Sequence, residues 1–206
     1  MIKKYHTDNK IGLLKRKIFK ILQEIYGFDI WHIEPVNFRP YAISIINTLS
    51  KKINNDFPIV ELGCGLGEII GAIDIKNKKY GYDLSASVLK ASQILHPNIK
   101  FTNGSFQDIE IGNIGCFIMV NFIHGIKPDD LKEQVDKLII KNDIDMFVID
   151  VIRNSTRSTY KYEHQGDYLF GEKYCLYKRS KGFQAAGGAR RYIEYWIKVN
   201  SLSNYK

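Results

Sequence analysis

The nine residues VELGCGLGE, from Val60 to Glu68, decide the fold class of this chain. A short apolar strand runs directly into Gly63, Gly65 and Gly67, which let the backbone turn tightly and approach a ligand with no side chain in between. Glu68 stands where a dinucleotide-binding GxGxxG needs its last glycine, and no GK[ST] follows to hold a triphosphate. The loop therefore predicts a ligand site at a strand-to-helix turn, while nicotinamide and P-loop binding are disfavoured.

An acidic residue closes the next predicted strand. That strand, KKYGYD, ends at Asp83. At this distance from the glycine loop, a carboxylate can accept hydrogen bonds from both hydroxyls of a ribose. The loop and the acid together predict an adenosine-type cofactor.

The rest of the chain alternates short β-rich runs with helical stretches. After PIVELG the runs are KKYGYDL, IKFTNG, CFIMVNF and MFVIDV. Helices are predicted at SASVLKASQIL, capped by Ser85, and at KPDDLKEQVDKLIIK, with Pro128 in the first turn. Two strand-like runs, KYCLYKRSK and RRYIEYWIKV, follow as a terminal hairpin. This alternation predicts an α/β fold with a mostly parallel sheet and helices on both faces.

Two further helices are predicted ahead of the first strand. The first runs from about Leu13 to Tyr26, and the second begins just past Pro40. Apolar residues of the first recur at steps of three and four residues: Leu14, Ile18, Ile21, Leu22 and Ile25. We expect this apolar face to be buried.

Composition is that of an ordinary globular protein. The chain has 206 residues, 45% of them hydrophobic, and its 30 Lys+Arg against 22 Asp+Glu give a formal charge of +8. No apolar run approaches the roughly 20 residues that span a bilayer, so no membrane partner is expected. No export signal is visible, and Cys64, Cys116 and Cys175 form no CxxC pair, which favours a reducing cytoplasm. The positive charge favours an anionic partner.

With these motifs in this order, the chain resembles the class I S-adenosylmethionine-dependent methyltransferases. The first motif of that family is a strand ending in E/D-x-G-x-G-x-G, which Glu61 and the three glycines match. The resemblance covers roughly 58–151 and extends loosely to the hairpin, which would supply the family's reversed last strand. It implies a Rossmann-like, seven-stranded sheet in a single domain over 1–206. Within that domain, the N-terminal helices and substrate lid occupy 1–53, the cofactor-binding core 58–151, and a substrate loop with the hairpin 152–206.

The resemblance also implies a site for S-adenosyl-L-methionine, with S-adenosyl-L-homocysteine as the product. Gly63 and Gly65 would line the methionine part, Asp83 the ribose and Leu84 the adenine. Cys64 is interpreted as a small packing residue of the loop rather than a reactive thiol. The predicted cofactor-binding residues are Glu61, Gly63, Cys64, Gly65, Asp83, Leu84, Ser105, Phe106 and Asn121.

The end of the third strand departs from the family pattern. The family often places an acid there to meet the adenine amino group, whereas this sequence reads NGSFQD. We expect a hydroxyl or backbone contact from Ser105 and Phe106, with Asp108 further from the ring. Asn121, at the end of the fourth strand, falls where the family closes over the transferring methyl group.

His124 is the candidate catalytic residue. In VNFIHGIKPDDL it follows the fourth strand at the carboxyl edge of the sheet, and an imidazole can accept the proton of a hydroxyl nucleophile near neutral pH. Many small-molecule O-methyltransferases have a histidine in the comparable loop. A histidine that only caps the loop is the alternative. The [DN]PP[YF] motif of amino-methylating nucleic-acid enzymes is absent here, which disfavours methylation of a base amino group.

Two variable segments carry the candidate substrate contacts. The first, WHIEPVNFRPY, links the N-terminal helices, and the second is the long loop after the fifth strand. An arginine can fork two hydrogen bonds to phosphate or carboxylate, although a packed connection with Arg39 paired to an acid is an equal alternative. The predicted substrate-binding residues are Trp31, His32, Arg39, Tyr41, Tyr160 and His164, and the second loop also offers Arg153, Arg157 and Tyr162.

Two further groups of residues are not assigned to a binding site. Arg190 and Arg191 open the last strand and are read as a surface charge pair. Asn121, Asp150 and Asn154 lie where metal-dependent O-methyltransferases gather ligands, but oxygen-loving ions generally need more than one carboxylate. No metal is therefore predicted.

The resemblance implies a methyltransferase whose acceptor the sequence addresses only broadly. WHIEP…FRPY ahead of VELGCGLGE, with the compact NFIH loop, is similar to methyltransferases of bacterial capsule and surface-polysaccharide modification, including O-methyl phosphoramidate decoration. That similarity implies O-methylation of a small anionic acceptor, phosphorylated or nucleotide-linked. An RNA methyltransferase is one alternative, although no RNA-binding module is seen, and nucleic acid is not favoured. A non-catalytic S-adenosylmethionine-binding protein is another, and a homodimer stays open.

Overall fold

A mostly parallel β-sheet organises the chain. The computed structural model describes residues 9–53, 56–155 and 160–201. The strands are β1 (Ile59–Leu62), β2 (Lys79–Asp83), β3 (Lys100–Asn103), β4 (Asn113–Ile114), β5 (Cys116–Met119), β6 (Asp143–Ile144), β7 (Met146–Arg153), β8 (Tyr174–Arg179), β9 (Phe183–Gln184) and β10 (Arg190–Lys198). The helices are α1 (Asn9–Tyr26), α2 (Pro40–Lys52), α3 (Glu68–Ala72), α4 (Ala86–Leu95), α5 (Pro128–Lys141) and α6 (Gly166–Phe170).

The order of the strands places the ligand edge. The main sheet runs β3-β2-β1-β5-β7-β10-β8, with β9 paired to β10, while β4 and β6 form a small separate pair. β10 is antiparallel to its neighbours β7, β8 and β9, and the other neighbouring pairs of the main sheet are parallel. The predicted mostly parallel sheet with a terminal antiparallel hairpin is confirmed. Because the chain builds outward from β1 in both directions, the carboxyl ends of β1 and β5 form a switch point, where such sheets bind ligands.

Two helix starts follow from single residues. The Ser85 hydroxyl accepts a hydrogen bond from the Val88 N–H at 3.4 Å and so caps α4. Pro128 occupies the first turn of α5, where its missing N–H costs no intrahelical bond. Both starts lie where the sequence predicted them.

Helices cover both faces of the sheet. One apolar cluster joins the sheet to α5 and α6 through residues such as Leu131 and Leu169. A second joins the other face to α2 and α3 through Ile46 and Ile70. This two-sided core holds the carboxyl ends of the strands in fixed positions.

α1 packs differently from the prediction. Gly12, Phe19 and Leu22 are its buried residues, whereas four of the five apolar residues predicted to be buried are exposed: Leu14, Ile18, Ile21 and Ile25. The predicted burial of this face is therefore wrong. Close approach explains the difference, because a Cβ added at Gly12 would lie 2.6 Å from Phe38 Cζ.

No helix of the described residues combines the length and the hydropathy needed to cross a bilayer.

Candidate active site

A cavity of about 730 Å³ opens at the carboxyl ends of β1, β2 and β5. The cavity brings together all nine predicted cofactor residues and five of the six predicted substrate residues. Those lining it are Trp31, His32, Arg39, Tyr41, Glu61, Gly63, Cys64, Gly65, Asp83, Leu84, Ser105, Phe106, Asn121 and Tyr160. The two predicted residues that do not line it are His124 and His164.

The glycine loop has backbone angles that require glycine. Gly63 and Gly65 have φ of 67° and 52°, a region that residues with a Cβ rarely adopt. A Cβ at Gly63 would lie 2.6 Å from Phe122 Cδ1, and one at Gly65 would lie 2.8 Å from His32 Nδ1. His32 belongs to the segment WHIEPVNFRPY between the N-terminal helices, which we call the first lid. Its ring therefore lies directly over the glycine loop. Burial lowers the pKa of this imidazole, and nearby Asp83 only partly offsets that effect.

Asp83 is held by backbone donors from two segments. Its Oδ2 accepts the Gly65 N–H at 2.9 Å, and its Oδ1 accepts the Ser85 N–H at 2.9 Å. A carboxylate has about four acceptor positions, so two remain for a ligand in the cavity. The carboxylate is thereby fixed in the orientation that a ribose would meet.

Glu61 is a buried acid at the floor of the cavity. Its Oε2 accepts the Ile70 N–H at 3.0 Å. Burial raises the pKa of this carboxyl to about 8, and the Ile70 N–H and the Arg39 guanidinium only partly oppose the rise. The group is therefore largely protonated near neutral pH, and a cation placed beside it would favour its ionised form.

Glu68 connects three parts of the chain, and the sequence analysis recognised it only as a missing glycine. Its Oε1 pairs with Lys15 Nζ of α1 at 2.8 Å, while its Oε2 accepts the Val36 N–H at 2.6 Å and pairs with Arg39 Nη2 at 3.2 Å. Arg39 is thus paired to an acid, as the alternative interpretation held, and still lines the cavity. The signal available in the sequence was an acid at the start of α3 together with a strongly basic α1.

The turn after β3 shows what Asp108 does in this chain, where the family often has an acid that meets the adenine amino group. Asp108 Oδ2 accepts the Ser105 N–H at 2.8 Å in a capping box of a short 3-10 helix. Asp108 therefore caps the turn and does not line the cavity, whereas Ser105 and Phe106 do.

A buried cluster lies behind the other side of the cavity. Asp150, inside β7 and just past the point where β5 ends, accepts the Asn121 N–H at 2.9 Å through Oδ1. Its Oδ2 lies 3.1 Å from His124 Nε2 and 3.3 Å from Arg191 Nη1. Burial would raise the pKa of Asp150, but His124, Arg191 and the Asn121 N–H together hold it below its usual value. The carboxylate is therefore ionised, and its charge is balanced inside the protein by the side chains beside it.

His124, the candidate catalytic residue, lies behind the cavity wall. The side chain is 2% exposed and lies outside the cavity lining. Its ring centroid is 5.6 Å from that of Tyr160, which does line the cavity, and 6.0 Å from that of His164. In this arrangement a substrate in the cavity would meet Tyr160 before it met the imidazole.

His164 is also placed away from the cavity. Its side chain is buried, and Nε2 lies 2.9 Å from the Ile123 carbonyl oxygen. Burial lowers the pKa of His164. In this position His164 packs within the protein, and Arg153 donates to its carbonyl oxygen at 2.9 Å. The contact of His164 with substrate stays a prediction. Arg157 lies outside the described residues.

Arg191 is not the surface residue that the sequence predicted. Arg190 is exposed, but Arg191 is 4% exposed and stacks on Tyr41 and Tyr160, with its Cζ 4.2 Å and 5.8 Å from their ring centroids. Its Nη2 also donates to the Tyr160 hydroxyl at 3.2 Å. Arg191 therefore joins the segment between the N-terminal helices, through Tyr41, to the loop after β7, through Tyr160. Side chains alternate between the two faces of a strand, and this alternation along β10 was the sequence signal that separates Arg191 from Arg190.

A metal centre finds no support among the described residues. No group of three His, Cys, Asp or Glu side chains in 9–53, 56–155 and 160–201 is placed to hold an ion. Cys64 is buried, and burial raises its pKa well above the usual value, so its thiol stays protonated.

Comparisons with known proteins assign the fold. No family model matches the sequence, and no curated protein matches it. Among solved structures, the chain is similar to the N-methyltransferase NodS from Bradyrhizobium japonicum WM9 in complex with S-adenosyl-l-homocysteine. The TM-score is 0.68 with 10% identity, over 88% of this chain and 98% of that chain.

Two other solved structures have the same fold. Magnesium protoporphyrin IX methyltransferase (ChlM) from Synechocystis PCC 6803 with bound SAM gives a TM-score of 0.60 and 12% identity, over 95% of this chain and 100% of that one. The small RNA methyltransferase HEN1 gives 0.61 and 13%, over 78% of this chain and 25% of that one. The chain therefore has a Rossmann-like α/β fold. More narrowly, it is the fold of class I S-adenosylmethionine-dependent methyltransferases.

Proposed function

We propose that this chain is an S-adenosyl-L-methionine-dependent methyltransferase whose cofactor binds in the 730 Å³ cavity. The observation that carries the proposal is the Asp83 carboxylate, which Gly65 and Ser85 orient at the end of β2 beside a loop with no room for a Cβ. Two of the similar structures contain S-adenosylhomocysteine or S-adenosylmethionine, which supports the same cofactor here. Asp83 would hold the ribose, Leu84 and Phe106 would contact the adenine, and Gly63 and Gly65 would face the methionine part.

The protein's part in the reaction is to align and to exclude water. When bound, the cofactor supplies an electrophilic methyl group on a sulfonium. His32 lies over the glycine loop at Gly65, and Trp31 and Tyr160 also line the cavity. Such placement lowers the barrier without a strong base when the acceptor oxygen is already ionised.

We further propose that the acceptor is a small anionic molecule, phosphorylated or nucleotide-linked, which is methylated on oxygen. Arg39 lines the cavity, and it shares the Glu68 carboxylate with Lys15, so this one acid does not neutralise both cations. A cationic guanidinium in the cavity wall favours an anionic oxygen as its partner. The formal charge of +8 would concentrate such acceptors.

A role in capsule or surface-polysaccharide modification, with a phosphoramidate as one acceptor, rests on the sequence similarity alone. The proteins of similar structure do not select an acceptor: NodS is an N-methyltransferase, ChlM acts on magnesium protoporphyrin IX and HEN1 on small RNA. Small RNA is therefore the second candidate acceptor, and the test includes it.

Thermal melting of the purified protein tests the cofactor. S-adenosylmethionine and S-adenosylhomocysteine at about 100 times their Kd should each raise the Tm by about 5–10 °C, while NAD and ATP should not. Release of S-adenosylhomocysteine is then measured with phosphorylated sugars, nucleotide-linked sugars and RNA as acceptors. No shift with either sulfur compound would contradict the cofactor assignment, and turnover with RNA alone would replace the anionic metabolite.

A further inference from the structure

α1 presents a continuous apolar face to solvent. Leu14, Ile18, Ile21 and Ile25 are 61%, 41%, 56% and 65% exposed. Their spacing of four, three and four residues places them on one side of the helix, over a length of about 17 Å. Four large apolar side chains in one row are more than the single exposed residues that any protein surface carries.

The exposed face is not the consequence of a loosely attached helix. A different side of α1 packs on the domain through Gly12, Phe19 and Leu22. Lys15 pairs with the buried carboxylate of Glu68 at 2.8 Å, and Arg16 pairs with Glu34. α1 is therefore fixed, and its apolar face points outward in the native arrangement.

Positive charge borders this apolar face. Lys10 and Lys17 are exposed and lie beside it on the side away from the domain, each three or four residues from Leu14. Lys20 and Glu24, also exposed, lie further round the helix on that side. The turn that follows α1 and packs against it adds two more exposed apolar side chains, Ile30 and Trp31. An apolar stripe with a lysine border and an adjacent tryptophan is the pattern of helices that lie in a membrane interface.

We propose that α1 docks in the interfacial plane of an anionic lipid bilayer, with its apolar face in the acyl boundary and its lysines on the lipid phosphates. This proposal departs from the expectation of no membrane partner, which considered only spanning segments and assumed that the face was buried. A second copy of the chain fits less well, because the face spans only about two heptads, whereas a coiled coil needs three or four. Two such helices side by side would also bring their lysine borders together.

Vesicle flotation of the full chain tests the proposal. The protein is mixed with vesicles of phosphatidylcholine alone or of phosphatidylcholine and phosphatidylglycerol in a ratio of about 7:3. We expect flotation with the mixed vesicles, little with phosphatidylcholine alone, and less at high salt. The double variant Leu14→Glu/Ile21→Glu should weaken partitioning by at least tenfold, and Lys17→Gln/Lys20→Gln by about tenfold.

A matched control uses the same chemistry elsewhere. Ile140 on α5 is 80% exposed, so Ile140→Glu removes an exposed apolar side chain from another helix and should float like the wild type. The Tm shift with S-adenosylhomocysteine should be the same in every variant, because none of the substituted residues lines the cavity. Loss of that shift in the wild type would contradict the proposed function and leave the docking result intact.

Three results would overturn the docking proposal. One is a wild-type protein that stays with the aqueous phase in the presence of the anionic vesicles. Another is equal flotation of wild type and Leu14→Glu/Ile21→Glu. The third is a dimer in sedimentation velocity that the same double variant dissociates, which would assign the face to a second copy.

Discussion

Asp83 ends β2, Asp150 lies inside β7 just past the end of β5, and the protein uses the two carboxylates in opposite ways. Asp83, at the end of β2, is oriented by two backbone N–H groups and keeps acceptor positions toward the cavity. Asp150, inside β7, is wholly buried beside His124 and Arg191 and does not line the cavity. A carboxylate that is oriented by backbone N–H groups at the cavity stays available to a ligand. A carboxylate that is buried among cationic side chains does not.

The largest expected effect is a loss of stability when Asp150, the buried acid, is changed. Asp150→Asn leaves the Arg191 guanidinium without its counter-charge in a buried position, so the free energy of unfolding should fall by about 3–5 kcal/mol. Urea unfolding measures the loss. Asp83→Asn is the matched control and should lose less than about 1 kcal/mol, because Asp83 faces the cavity. Equal losses in the two variants would break the comparison.

The next effect is on the open side. Asp83→Ala removes the proposed acceptor of both ribose hydroxyls, so the affinity for S-adenosylhomocysteine should fall by about 100-fold. Isothermal titration calorimetry measures it on a variant whose circular dichroism matches the wild type. Asp108→Asn removes the same charge nearby, outside the cavity, and should leave the affinity within about twofold of the wild type. Unchanged affinity in Asp83→Ala would remove the ribose assignment.

A third prediction concerns Glu61, the buried acid of β1, and the dependence of stability on pH. Glu61 binds a proton in the folded state up to about pH 8, whereas the unfolded chain releases it near its ordinary pKa of 4.5. The folded state therefore holds the extra proton between about pH 5 and 8, and stability falls by about 1.4 kcal/mol per pH unit as pH rises.

Urea unfolding from pH 5 to 8 isolates this contribution as the difference between wild type and Glu61→Gln. Burial lowers the pKa of His32 and His164, which acts in the opposite direction and is common to both proteins. The free energy of unfolding of Glu61→Gln should therefore stay nearly constant or rise as the pH rises. Parallel pH profiles would show that Glu61 is ionised in the folded protein.

The smallest effect concerns the turn after β3. Ser105→Ala removes the hydroxyl that caps the turn, so stability should fall by about 1 kcal/mol. Cofactor affinity should change by no more than a few fold if the backbone rather than the hydroxyl meets the adenine. Urea unfolding and calorimetry on the same sample separate the two effects, and a larger loss of affinity would make the hydroxyl a ligand.

The open side of the comparison could be predicted from the sequence because its determinants are local. Gly63, Gly65 and Asp83 lie within 58–83, and backbone turns and strand ends fix where they point. The predicted strands and helix starts follow from the same short-range rules. For this reason all nine predicted cofactor residues line one cavity.

The buried side could not be predicted because its partners are distant in sequence. Asp150 meets Arg191 because β10 pairs with β7, and it meets His124 from a separate loop after β5. A histidine at a sheet edge has the same pattern whether its ring turns outward or beneath the edge. The packing of α1 was missed for a related reason, since the close approach at Gly12 outweighs a row of larger side chains.

Glu68 has a consequence for the order in which the protein folds. Its partners Lys15, Val36 and Arg39 lie 53, 32 and 29 residues away in sequence. Closing such long loops costs entropy before any contact compensates for it, so these contacts should form after the β1–α3 turn exists. We therefore expect the first lid and α1 to be the last parts to become protected from hydrogen exchange during refolding, and the cavity to be completed only in that final step.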